Sequence, residues 1–130
     1  MPTVQFFEIP ADNLDRAKKF YSDLFGWKMI NYNNNNSNSD SEYLLFETVD
    51  ENGKPGIGGG MMKRQHPQQM ICNFVTVRSI DGYATKIEQL GGKILIPKIA
   101  AKGHGYFVVC SDTEDNHFGI FKKILMQNNH

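Results

Sequence analysis

The pattern of apolar and polar positions along the chain predicts two amphipathic helices, each followed by short strands. Apolar residues recur at helical spacing over residues 14–25 and again over residues 80–90. Such spacing places the apolar side chains along one face of a helix. Gly26 follows the first run, and Gly91 and Gly92 follow the second, where glycine readily adopts the left-handed conformation that ends a helix. We therefore expect two helices of about three turns.

The residues around these helices predict the caps and the strands. Asp12 and Asn13 are the candidate N-caps of the first helix, and Ser79 is that of the second, because their side-chain oxygens accept bonds from free backbone N–H groups. Segments rich in β-branched and aromatic residues, bounded by polar or glycine-rich turns, predict strands. These segments are residues 3–9, 27–32, 42–48 and 56–62 in the first half, and 70–77, 93–97, 105–111 and 117–123 in the second.

The chain repeats itself once. Residues 13–30 align without a gap with residues 79–96, which lie 66 positions later. Leu14 then matches Ile80, and Gly26 matches Gly92. A chain about twice as long as one such unit predicts two consecutive copies. We therefore expect an α+β protein of two βαβββ modules, about 1–63 and about 70–125, in a single domain over 1–130, since one module leaves a sheet face uncovered.

Two polar segments interrupt the pattern. Residues 63–69 contain a proline and few apolar side chains, so we interpret them as the join between the modules. Residues 33–41 are almost entirely Asn, Ser and Asp, which cannot contribute to a core. We expect this second segment to form a loop.

Composition narrows the classes of partner. The chain has 130 residues, with 14 basic and 14 acidic side chains, so no net charge attracts it to nucleic acid or an anionic membrane. No apolar stretch approaches the roughly 20 residues that span a bilayer, and the first residues do not resemble a signal peptide. Two widely separated cysteines do not suggest a disulfide framework. We expect a cytoplasmic protein with a small-molecule partner.

Two stretches resemble a known family. FFEIPADNLDRAKKFYSDLFGW over residues 6–27, and VTVRSIDGYATKIEQLGGKIL with SDTEDNHFGIF over residues 75–95 and 111–121, resemble the paired modules of the glyoxalase, bleomycin-resistance and extradiol-dioxygenase superfamily. This is also called the vicinal oxygen chelate superfamily. The resemblance implies a glyoxalase-like fold in which each module curls its sheet into an incomplete barrel. It also implies a homodimer.

The resemblance implies four inward positions that hold a divalent metal in many members. Here they fall on Phe6, on Cys72, within residues 58–60 and on Gly119. Phenylalanine and glycine have no side-chain donor, and catalytic zinc generally takes three protein ligands. We therefore predict no metal and no other cofactor.

The leading hypothesis is a protein that binds a small, largely apolar molecule in the barrel cavity. We expect this cavity to be lined by Phe6, Glu8, Gly59, Cys72, Phe74, His117, Gly119 and Phe121. If the protein is an enzyme, Glu8 and His117 are the candidate catalytic residues, since a carboxyl or an imidazole in an apolar site transfers protons. One alternative is a glyoxalase-like lyase or dioxygenase that recruits a metal through atypical residues such as Glu8, Cys72 and His117. A third possibility is a purely structural or regulatory dimer.

Overall fold

A computed structural model of the chain describes residues 2–32, 42–101 and 104–124. Within these ranges the chain forms two helices and eight strands in the order β-α-β-β-β, twice, which confirms the predicted α+β arrangement. Their bounds are β1 Thr3–Ala11, α1 Leu14–Phe25, β2 Met29–Asn31, β3 Tyr43–Phe46, β4 Gly58–Lys63, β5 Cys72–Thr76, α2 Ile80–Gln89, β6 Lys93–Ala101, β7 Gly105–Ser111 and β8 His117–Lys123. The predicted loop over residues 33–41 lies outside the described residues.

The chain divides into two compact units, which are considered separately. The N-terminal unit is Phe6–Cys72, and the C-terminal unit is Asn73–His130 together with Met1–Gln5. In the described part of the chain, neither helix is both long enough and apolar enough to cross a membrane.

In the N-terminal unit, α1 packs on one face of a sheet with the strand order β2-β3-β4-β1. Strands β1 and β4 are parallel, and the other neighbours are antiparallel. Trp27 stacks on Phe46 with 4.8 Å between the ring centroids, and Tyr21 of α1 stacks on the indole at 5.5 Å. The core beneath α1 consists of Ile9, Ala11, Met29, Leu44, Phe46 and Met61.

The C-terminal unit repeats this arrangement with the strand order β5-β8-β7-β6. Strands β5 and β8 are parallel, and β7 is antiparallel to both β8 and β6. Its core consists of Val77, Ile80, Val108, Cys110 and Ile120. In both units, therefore, one sheet face is covered by the helix of that unit.

The N-caps of the two helices confirm the 66-residue repeat, whereas the left-handed glycines after the helices, Gly26 and Gly91, lie 65 positions apart. The Asn13 side chain accepts a hydrogen bond from the backbone N–H of Arg16 at 2.9 Å, and Ser79 Oγ accepts one from Gly82 at 3.0 Å. Asn13 rather than Asp12 is therefore the first cap. Gly26 ends α1 at φ 75°, and Gly91 follows α2 at φ 98°, both in the left-handed region that glycine favours.

Candidate functional site

The sheet of the N-terminal unit has a second face, directed away from α1, which we call the open face. Side chains alternate along a strand, so Phe7 and Ile9, which contact the helix side, leave Phe6 and Glu8 on the opposite face. The strand registers extend this assignment to β2, β3 and β4. The open face comprises Phe6, Glu8, Ile30, Tyr32, Tyr43, Leu45, Gly58, Gly60 and Met62.

Glu8 and Tyr43 form the polar centre of this face. The Tyr43 hydroxyl donates a hydrogen bond of 2.6 Å to Glu8 Oε2. Burial raises the pKa of Glu8, while the bond from Tyr43 lowers it, and burial is the larger effect. Burial, followed by the charge of Glu8, also raises the pKa of Tyr43, so the phenol retains its proton. The pair is therefore a carboxyl with one oxygen bound by a neutral donor.

Gly60 makes room for this pair. It lies beside Glu8 in the parallel register of β1 and β4. A Cβ atom at this position would stand 2.0 Å from Tyr43 Oη and 2.3 Å from Tyr43 Cζ, far inside van der Waals contact. The tyrosine thus occupies the space that any side chain at residue 60 would need.

Gly59 was expected in the cavity, but the structure places this residue on the helix side of the sheet. A Cβ atom on Gly59 would meet Phe46 Cζ at 2.7 Å, and Phe46 belongs to the core beneath α1. Alternation therefore puts Gly60, not Gly59, on the face that carries Glu8.

The C-terminal unit has an equivalent but apolar arrangement on its own open face. Phe74 is paired with Gly119, as Glu8 is with Gly60. A Cβ atom on Gly119 would lie 2.2 Å from Phe74 Cε2. The Phe74 ring packs edge-on against Phe107, at 5.9 Å between centroids. Phenylalanines therefore occupy the places that Glu8 and Tyr43 hold in the N-terminal unit.

The remaining predicted residues divide between the units. Phe121 is buried and follows Gly119 by two positions on β8, while His117 is half-buried and precedes it by two, so all three share a face. Cys72 is buried at the start of β5 and forms no disulfide. Phe6 and Glu8 lie together in the N-terminal unit. The pair that the sequence analysis missed is Tyr43 with Gly60, which only the strand register brings to Glu8.

Most of the positions that the resemblance implies for a metal do not fit one here. Phe6 has no donor atom. The Tyr43 ring covers Gly60, and the Phe74 ring covers Gly119. In the described ranges, no three or more His, Cys, Asp or Glu side chains gather closely enough to bind a metal ion. No step of a mechanism is therefore assigned to a metal.

Two shallow grooves of about 400 and 500 Å³ lie elsewhere in the N-terminal unit, where β1 ends beside α1. Both include Tyr21 and Arg64, and Arg64 is bound to Asp12 by an ion pair of 2.9 Å. Neither groove is lined by a residue that was predicted to line the ligand cavity. Because the arginine already has an anionic partner, we place the candidate site on the open face.

The family comparisons agree with this geometry. Residues 3–38 match the family model described as bleomycin resistance protein-like N-terminal, and this segment includes all of β1, α1 and β2. The match covers 36 of the 130 residues, so it shows a likeness of the N-terminal part of the chain to that family. No curated protein matches this chain in sequence.

Solved structures share the fold of this chain along almost its whole length. A hypothetical protein from Bacillus halodurans has 10% identity and a TM-score of 0.68, covering 98% of this chain and 99% of that one. Streptomyces coelicolor methylmalonyl-CoA epimerase has 11% identity and a TM-score of 0.64, with 92% and 96% covered. A glyoxalase/bleomycin resistance protein/dioxygenase superfamily member from Vibrio splendidus has 11% identity and a TM-score of 0.61, covering 92% of this chain and 97% of that one. At such identities the likeness shows the fold and not the reaction.

Proposed function

We propose that the chain is a small-molecule-binding member of the superfamily that works without a metal, and that its site is the open face of the N-terminal unit. The observation that carries this proposal is the hydrogen bond between Tyr43 and Glu8 above Gly60. A carboxyl held in place by a phenol on an apolar surface supplies the directional polar contact that ligand sites commonly have.

The apolar surroundings of this pair support binding. Ile30, Tyr32 and Leu45 lie on the open face and are 69, 44 and 37% exposed. Contiguous exposed apolar side chains are uncommon on monomeric proteins unless the surface contacts something. Because they border a fixed polar pair, a small organic molecule gains both apolar burial and orientation there.

The metal-free part of the proposal is supported by how the two units fill their glycine positions. Restoring a carboxylate at residue 60 or 119 would require the Tyr43 or Phe74 ring to move, because each lies within 2.3 Å of the required Cβ position. At residues 60 and 119, the space that a metal-binding side chain would need is thus filled by the rings of Tyr43 and Phe74. This arrangement favours a binding surface over a coordination site.

A screen of small apolar molecules in the presence of a chelator tests this function. Saturation-transfer NMR should detect binders to metal-depleted protein, and adding zinc or nickel should not improve their binding. The variant Leu45→Lys, which places a charge beside Gly60, should lose these binders. Ile71→Lys is the matched control, since Ile71 is an exposed isoleucine in one of the grooves. Binding that requires added metal, or that survives Leu45→Lys, would contradict the proposal.

The proposal includes a homodimer in the cytoplasm. Phe20, Leu24 and Phe25 of α1 are each more than half exposed, and a second copy of the chain would cover such a surface. Neither cysteine forms a disulfide, as is usual in a reducing compartment. Sedimentation equilibrium at micromolar concentration should give twice the chain mass, and a monomer mass would count against pairing. Cell fractionation tests the location.

A further inference from the structure

The Glu8 and Tyr43 pair offers a ligand only hydrogen-bond acceptors. Tyr43 has one hydroxyl proton, and it is committed to Glu8 Oε2. Burial keeps that proton on the phenol at neutral pH. In the described chain no other partner of the Glu8 carboxyl is found, and Oε1 is not among the fully buried polar atoms that lack a bond. Among the described residues, Oε1 is therefore an acceptor that Tyr43 leaves unoccupied.

The rest of the open face does not balance the charge of Glu8. Glu8 is the one charged residue among its nine described residues; Lys28 and Glu47, which continue the alternation beyond β2 and β3, are both exposed and opposite in charge. The carboxylate is thus partly buried without a cation, which is unfavourable unless a partner supplies one. A ligand with a negative group would add repulsion to this cost.

The neighbours of the pair determine the body of such a ligand. Tyr32 packs edge-on against Tyr43 at 6.4 Å between centroids, and Leu45 lies beside Gly60 in the strand register. Aromatic and aliphatic side chains of this kind bury an apolar ring, and their ring faces also attract a cation.

Resting on the proposed site, we infer that its ligand is an organic cation: a protonated nitrogen with at least one N–H, carried on an apolar, preferably aromatic, body. The N–H donates to Glu8 Oε1, and the body lies along Tyr32 and Leu45. Phosphorylated and carboxylated molecules are not ligands of this face.

Three probes of the same shape test this inference: 2-naphthylmethylamine, 2-naphthalenemethanol and 2-naphthoate, which are cationic, neutral and anionic at neutral pH. Their affinities are measured by NMR titration of the full chain. The amine should bind about tenfold more tightly than the alcohol, since a charge-assisted bond exceeds a neutral one by about 1.4 kcal/mol, and naphthoate should bind most weakly.

Glu8→Gln should remove the preference for the amine, because glutamine keeps an acceptor for Tyr43 but has no charge. Glu88→Gln, at an exposed glutamate of α2 in the C-terminal unit, is the control for net charge and should leave the preference intact. The inference would be overturned by equal affinities for the three probes, by tighter binding of naphthoate, or by a preference for the amine that persists in Glu8→Gln. It would also be overturned if the amine failed to bind while other apolar molecules did. If no apolar molecule binds the face at all, the proposed function itself fails.

Discussion

Replacing Gly60 by alanine tests the geometry of the site through stability. The new Cβ would overlap Tyr43 Oη and Cζ at 2.0 and 2.3 Å, so the tyrosine must rotate away. Residue 60 lies in a strand without a positive φ, so alanine itself fits the backbone. The energetic cost therefore comes from what Tyr43 loses.

Its size follows from two contacts. Losing a hydrogen bond to a charged group costs about 1.5–3 kcal/mol, and losing the edge-on contact with Tyr32 costs about 0.5–1.5 kcal/mol. Replacing a strand glycine by alanine returns about 0.5–1 kcal/mol through lower entropy of the unfolded chain. We expect Gly60→Ala to lower the free energy of unfolding by about 1–4 kcal/mol.

Urea unfolding followed through the single tryptophan, Trp27, measures this change. In a Tyr43→Leu background the ring is gone, and Gly60→Ala should then be neutral or stabilising by up to about 1 kcal/mol. Gly119→Ala is the matched control: it overlaps Phe74 instead, so its cost should not depend on Tyr43. If Gly60→Ala costs the same in both backgrounds, Tyr43 does not lie over Gly60 and the site is misassigned.

Three further predictions concern caps and carboxyls. Asn13→Ala and Ser79→Ala should each lower the free energy of unfolding by about 1 kcal/mol, and equal melting curves for variant and parent would refute these caps. Hydrogen bonds from the backbone N–H groups of Asn116 and Glu114 lower the pKa of Asp112, so its carboxylate stabilises the fold at any pH above the pKa that Asp112 has in the unfolded chain. The parent loses this stability as the pH falls through the lowered pKa of the folded chain, and Asp112→Ala should make that loss smaller. Burial raises the pKa of Glu8, so the folded state loses stability as the pH rises from the pKa of the unfolded chain toward the raised pKa of the folded chain. Over this range Glu8→Gln should gain stability relative to the parent, and above it the difference should stay constant. A stability difference that does not depend on pH would contradict the assignment.

The helices and most strand centres could be predicted because their signals are local. Helical spacing and caps depend on residues three or four positions apart. The two caps, Asn13 and Ser79, are separated by 66 positions, as the repeat requires. Strand ends were less predictable. The sixth strand was expected to stop at Pro97, but β6 continues to Ala101. It lies at the edge of its unit's sheet and is irregular near Pro97, where a missing N–H breaks no ladder bond.

The polar pair could not be predicted because it joins residues 35 positions apart. Glu8 was found from alternation along β1, but its partner depends on the register of β3, which follows a segment of no regular pattern. Three consecutive glycines precede Met61, and the sequence alone does not say which one faces Glu8. Only the pairing of Glu8 with Gly60 decides this.

The most direct test of the proposed site is to map where a binder contacts the protein. Amide chemical shifts of metal-depleted, isotope-labelled protein are recorded with and without the best apolar binder, in the presence of a chelator. We predict that the largest changes fall on Glu8, Tyr43 and Gly60, and that they disappear in Leu45→Lys. Changes confined to the groove around Tyr21 and Arg64, or changes that appear only when a metal is supplied, would contradict a metal-independent site on the open face.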